Sequence, residues 1–191
     1  LIDITKNKFF KYILFGGLYF SEGLKYIIAI LILPIYLTEE GISLPIVTLT
    51  SAIFLLPMTI KFIWGGIVDY YIKYGRKKFI IFGALLSSIS LILVTIINPK
   101  EYLIIFALLL FIAGMGVGFF DVSADAWAIE ISKYEERGKI NGAMVTGHTI
   151  GASSSAILLS FLAESYGFNS IFIMAGIMVL LTLIIPLIIK E

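Results

Sequence analysis

No cysteine occurs in the 191 residues, which excludes disulfides and thiolate metal sites within this chain. Histidine occurs once, at position 148, so no histidine cluster is available for a metal either. No pairing of a nucleophile with a base shows a recognisable spacing, and an enzyme is the weakest reading of the chain. Charge is equally scarce. Only 14% of residues are charged, against roughly 25% in a soluble domain, and 60% are hydrophobic. A water-exposed surface cannot be built from that supply, whereas a lipid-exposed one needs little else. The net charge of +1 provides no global basic field of the kind nucleic-acid binding requires. Linkers and low-complexity stretches are also missing, so residues 1–191 read as a single unit.

What the chain has is apolar length. Crossing a bilayer as a helix takes roughly 20 mainly apolar residues. Six stretches qualify: Phe9 to Leu37, Pro45 to Asp69, Lys77 to Ile97, Glu101 to Ile131, Ile140 to Ala163 and Asn169 to Ile189. Turn residues separate them, as in Thr38-Glu39-Glu40-Gly41, Asn98-Pro99-Lys100 and Tyr166-Gly167-Phe168-Asn169. Barrel strands would show alternation over about ten residues, and these runs do not. The sequence predicts an all-α membrane protein of six transmembrane helices.

Basic residues set an orientation. With a cytoplasmic N-terminus, that side holds Lys6, Lys8, Lys11, Lys73, Arg76, Lys77, Lys78, Lys133, Arg137, Lys139 and Lys190. The opposite side holds Lys100, and Lys25 and Lys61 lie within spans. The positive-inside bias places both ends of the segment in the cytoplasm, and a cell-membrane location is expected.

Charges at bilayer depth cost about 2.5–3.5 kcal/mol each on insertion scales, so each needs a reason. Span four carries Asp121, Asp125 and Glu130, span one Glu22 and Lys25, span two Lys61, and span five His148. At 100° per residue, Gly114, Gly118, Asp121 and Asp125 fall within about 60° of one another, forming a small, polar stripe. Its glycines either admit a neighbouring helix or leave room for a ligand. Glu130 is about 180° away from Asp121, toward the cytoplasmic end. Tyr19, Glu22, Lys25, Tyr26 and Ala29 share a face about 120° wide, on which Glu22 and Lys25 are expected to pair along the helix. That pair either serves helix packing alone or has a functional role. Lys61, about two turns from Asp69, is expected to snorkel to the cytoplasmic headgroups. His148 is a proton relay or, as the preferred reading, a packing residue on the Gly147/Gly151 face. Asp121 and Asp125 repel when both are ionised. A carboxylate in a membrane cavity can load and release a proton, and these two are the favoured functional pair.

Between spans two and three, Gly65-Gly66-Ile67-Val68-Asp69 leads through Tyr70-Tyr71-Ile72-Lys73-Tyr74 to Gly75-Arg76-Lys77-Lys78. This resembles the cytoplasmic signature of the major facilitator superfamily, with about three extra residues between the aspartate and the second glycine. Glu135-Glu136-Arg137-Gly138-Lys139 resembles the corresponding loop between spans four and five. Lys61-Phe62-Ile63-Trp64 followed by Asp69, and Asp121-Val122-Ser123-Ala124-Asp125-Ala126-Trp127, resemble the branch of muropeptide permeases and acetyl-coenzyme A transporters. Gly65-Gly66 stands where that branch has Ala-Pro, and Phe120 where it has a polar residue.

The resemblance implies the N-terminal six-helix half of a twelve-helix transporter, made of two three-helix repeats and completed by a second half from the same chain. It implies alternating access, a small-molecule solute, possible proton coupling and no cofactor. Asp121, Asp125, Glu22, Lys25 and His148 are the candidate pathway residues. Gly65, Asp69, Gly75, Arg76, Glu130 and Arg137 are the candidate conformational switch, with ion pairs expected between Arg76 and Glu130, Glu135 or Glu136. Two alternatives stay open: a homodimeric six-helix half-transporter, and a non-transporting membrane protein that delivers or assembles a partner.

Overall fold

The computed structural model describes residues 2–3 and 8–190. Among these residues, six helices are long and apolar enough to cross a membrane: span 1, Phe9–Glu39; span 2, Leu44–Tyr70; span 3, Arg76–Val94; span 4, Leu103–Glu130; span 5, Tyr134–Tyr166; and span 6, Phe168–Ile188. They correspond to the six predicted stretches, with shifted ends. Span 5 starts at Tyr134, well before the predicted Ile140. Glu135 and Glu136 occupy its first turn, where carboxylates favour the exposed amides of a helix N-terminus.

Two spans are irregular. Span 1 passes through a π-helical segment, Ile28–Ile32, just before Pro34. Proline has no amide to donate and its ring crowds the preceding turn, which loosens the ladder there. Span 2 is split into Leu44–Thr59 and Lys61–Tyr70, with Ile60 between them at φ −97° and ψ 25°. Pro57 precedes the break. In an unbroken helix the Pro57 carbonyl would accept from the amide of Lys61; here it accepts the Trp64 indole N–H at 2.8 Å. A side chain inserted into the ladder is an established cause of such kinks.

Packing follows the expected two-repeat plan. Span 1 lies along span 5, and span 4 along span 2; exchanging the three-helix units, spans 1–3 for spans 4–6, turns one pair into the other. Span 3 packs against spans 4 and 6. There Ser88 Oγ donates to the Gly176 carbonyl at 2.8 Å, a buried polar tie between helices. Aromatic side chains fill the core. Phe15 meets Trp127 edge-on at 5.9 Å, and Tyr36 packs among Phe106, Phe168 and Phe172. Large apolar side chains such as Phe62, Ile104 and Ile157 point outward, as a lipid-facing surface requires.

The bundle has two distinct ends. At one, Lys100 and Glu40 pair at 3.0 Å across the turns between spans 3–4 and 1–2. At the other lie the turns between spans 2–3 and 4–5, together with the segments Ile2–Asp3 and Ile189–Lys190, which pair in parallel. Lys6, which the sequence assigns to the basic end, lies outside the described residues.

Candidate functional site

The glycine stripe of span 4 is filled by span 2. A Cβ on Gly114 would strike the Phe54 carbonyl and the Pro57 ring, and one on Gly118 would strike the Trp64 indole. Of the two uses open to these glycines, the structure selects close helix approach. That approach brings Lys61 to span 4.

Lys61 Nζ sits 2.7 Å from Asp121 Oδ2 and 3.9 Å from Asp125 Oδ2. The expectation that Lys61 snorkels away to the headgroups is therefore corrected. A charge-assisted bond to a carboxylate side chain that is 2% exposed outweighs full rehydration of a lysine whose side chain is still half-exposed. From span 1, the Tyr19 hydroxyl reaches Asp121 Oδ1 at 3.1 Å and makes a closer bond to Asp125 Oδ1. Its single proton serves one carboxylate at a time. Three spans thus converge on the aspartate pair. Asp121 is enclosed, whereas Asp125 is 40% exposed beside a cavity of about 300 Å³. Arg137, Asn141 and Met144 of span 5 line the opposite wall of that cavity.

Glu22 and Lys25 do not pair as predicted. Neither Lys25 Nζ nor Glu22 Oε2 has a hydrogen-bond partner among the described residues. Lys25 turns inward instead, its ammonium 4.1 Å from the centre of the Phe120 ring. The aromatic face attracts a desolvated cation and takes the place of the carboxylate. Both residues line a small cavity between spans 1, 2 and 4. A buried charge without a hydrogen-bond partner costs stability, so Lys25→Met is expected to raise the unfolding midpoint. Thermal unfolding of the detergent-purified protein measures this, and an unchanged or lower midpoint would contradict it.

His148 belongs to the seam between spans 1 and 5. It is half-buried, its ring centre 5.6 Å from that of Tyr26. Its backbone carbonyl faces Gly23 so closely that a Cβ there would collide with it.

At the end carrying the basic turns, Arg76 bridges two carboxylates. Its Nη1 is 2.6 Å from Asp69 Oδ1, and its Nε and Nη2 are 3.0 and 2.9 Å from Glu130 Oε1. Gly75, immediately before it, has φ +84°, a backbone conformation that a side chain would strain, and it turns the chain into span 3. Two members of the predicted switch lie elsewhere. At Gly65 a Cβ would meet nothing within 4 Å, so this glycine makes no close helix contact among the described residues. Arg137 stands at the cavity wall beside Asp125, its guanidinium 6.0 Å from the Tyr134 ring centre. Glu136 is buried and pairs with Lys11 at 2.9 Å, while Lys11 also donates to the Ile131 carbonyl. Nothing in the sequence marks that pair: its members are 125 residues apart, and each has an ordinary place among the charges of the basic end.

Six apolar helices with ionisable groups gathered between spans 1, 2 and 4 define an α-helical integral membrane protein. The family model of the Major Facilitator Superfamily matches residues 15–191, and the chain belongs to that family. Its fold is similar to that of the xylose transporter XylE from E. coli in an inward open conformation, with a TM-score of 0.61 and 19% identity over 98% of this chain and 48% of that one. The chain is 27% identical over 147 residues to the multi-drug resistance efflux pump PmrA of Streptococcus pneumoniae, covering 77% of this chain and 34% of PmrA. It is 32% identical over 163 residues to AmpG 1 of Rickettsia bellii, covering 78% of this chain and 38% of that protein. It therefore spans little more than a third of the length of these two relatives.

Proposed function

We propose that this bundle is the N-terminal half of a secondary active transporter that moves a small solute by alternating access, coupled to protons. A second six-helix half from the same chain would close the central cavity near the bilayer midplane. The observation that carries this reading is the enclosed Asp121, held between Lys61 of span 2 and Tyr19 of span 1. A carboxylate at bilayer depth with a cation and a hydroxyl donor from separate helices is suited to exchange a proton as those helices move. Asp125, beside the cavity, gives the site access to solute or water. Glu22 and Lys25 line an adjacent wall, and His148 adjoins it through Tyr26. The plasma membrane, with both ends of this segment in the cytoplasm, fits the distribution of basic residues.

Uptake by the full-length protein in proteoliposomes, with and without an inward proton gradient, tests the reading. The solutes would include sugar-peptides, acyl-coenzyme A, nucleosides, xylose and a panel of drugs, with influx and efflux both followed. Flux of one solute that responds to the gradient supports it. Folded protein that moves none of them in either direction counts against it and favours partner delivery.

The cluster of Asp69, Arg76 and Glu130 would lock the cytoplasmic end in one state of the cycle. Arg76 is only 10% exposed at its side chain and satisfies both acids with one planar fork. Arg76→Gln is expected to slow flux by about tenfold or more, corresponding to ~1.4 kcal/mol or more. Arg76→Lys should rescue it poorly, because an ammonium cannot reproduce the fork. Initial-rate measurements decide this, and full activity in Arg76→Gln would remove the lock from the mechanism.

A further inference from the structure

The short helix Lys61–Tyr70 is a separate piece of span 2, set off by the break at Ile60. Its first residue, Lys61, is tied to Asp121 of span 4. Near its other end, Asp69 is tied through Arg76 to Glu130, also of span 4. Between the two ties Trp64 and Val68 pack on Phe119 of the same span. On the other side, a Cβ at Gly65 or Gly66 would meet nothing within 4 Å among the described residues. One ten-residue helix is therefore fastened to one neighbour at both ends, and one of its fasteners is the aspartate proposed above for proton coupling.

We propose that Lys61 is a positioning residue that lets the short helix report the state of Asp121 to the cytoplasmic Asp69–Arg76–Glu130 cluster. The proposal rests on the transport reading for its purpose, but its physical content is separate. When Asp121 carries its charge, Lys61 holds the outer end of the helix on span 4, and the inner tie is favoured with it. When Asp121 is neutralised, the outer end loses its strongest attachment. The apolar contact of Trp64 and Val68 then weakens along the rigid ten-residue segment, and the inner cluster opens more readily. Coupling of this kind is reciprocal: releasing Arg76 must loosen the Lys61 end by the same factor. The break at Ile60 is the hinge, with the Trp64–Pro57 bond as its splint.

A single cysteine in place of Val68, which is fully buried against span 4, reports docking. In the full-length protein, with any other reactive cysteines replaced, labelling of Val68→Cys by an impermeant maleimide is slow while the helix is docked. Asp121→Asn is expected to accelerate labelling about tenfold, the scale of one lost charged hydrogen bond. Lys61→Gln should do the same, Lys61→Arg should restore protection, and Asp121→Asn with Lys61→Gln should add nothing further. A second reporter, Ala84→Cys in the core of span 3, should stay protected throughout. Unchanged labelling at Val68→Cys would overturn the proposal, and so would equal exposure of both reporters, which marks a bundle loosening as a whole. Measured without any solute, the labelling holds or fails independently of flux. Protection that responds to Asp121→Asn in a protein moving no solute upholds the lever and removes the transport reading alone.

Discussion

Asp121→Asn is expected to reduce gradient-driven flux by about a hundredfold or more, ~2.7 kcal/mol of lost coupling, while leaving the protein folded in the membrane. The asparagine keeps the shape and the hydrogen-bonding reach of the side chain and removes only the charge and the exchangeable proton. Folding should survive because the substitution leaves the packing of span 4 unchanged and Lys61 is half-exposed at its side chain, so losing its closest carboxylate does not strand it in an enclosed apolar site. Asp125→Asn is expected to be milder. It leaves Lys61 and Tyr19 on the enclosed Asp121 and alters the residue nearer the cavity, so the solute dependence of the rate should change more than the response to the gradient. Initial rates across a series of imposed proton gradients, normalised to folded protein in the vesicles, separate the two. Flux in Asp121→Asn that keeps its full gradient dependence would take this residue out of the coupling step.

Much of this site can be read from the amino-acid sequence, because lipid makes charge expensive. The six spans follow from apolar length. Asp121 and Asp125 stand out since carboxylates at that depth, one turn apart, need compensation. The loop motifs assign Asp69 and Arg76 to one end of the bundle and leave Glu130, Glu135 and Glu136 as possible partners of Arg76; the structure selects Glu130. What the sequence does not contain is the rotation and neighbour of each helix. Helical spacing puts Glu22 and Lys25 on one face and suggests a pair, yet the side chain of Lys25 follows the Phe120 ring on another span. Depth alone suggests that Lys61 reaches for headgroups. Its true partner depends on span 2 lying against Gly114 and Gly118, a contact set by packing between helices far apart in the chain. The Lys11–Glu136 pair is hidden for the same reason: two ordinary charges become a buried pair only once spans 1 and 5 meet. Trp64 is recognisable as part of a motif, but its bond to the Pro57 carbonyl depends on a break in the helix that propensity does not locate.

The seam between spans 1 and 5 should be the least tolerant place in the bundle. A Cβ on Gly151 would fall against the backbone of Phe20, one on Gly147 against the backbone of Gly16, and one on Gly23 against the backbones of His148 and Ala152. In each case the obstacle is main chain on the facing helix, which has no rotamer to change. Gly151→Val therefore has to push the helices apart along their length. In lipid this is costly for a specific reason: apolar side chains gain nothing by leaving tails as apolar as themselves, so association rests on the close packing such glycines permit. Overpacking a protein interior typically costs about 1–3 kcal/mol, and a backbone obstacle places this substitution at or above the top of that range. A loss of that size consumes much of a stability of about 5–15 kcal/mol. The expected result is a protein that accumulates poorly and elutes as aggregate on size exclusion in mild detergent. Gly142→Ala, on the same span, provides the contrast. Nothing among the described residues lies within 4 Å of the added carbon, and the exchange improves helix propensity by up to about 1 kcal/mol. If Gly151→Val were tolerated as well as Gly142→Ala, spans 1 and 5 would not be held by close backbone contact, and the polar ties at their ends, Lys11–Glu136 above all, would have to hold the seam instead.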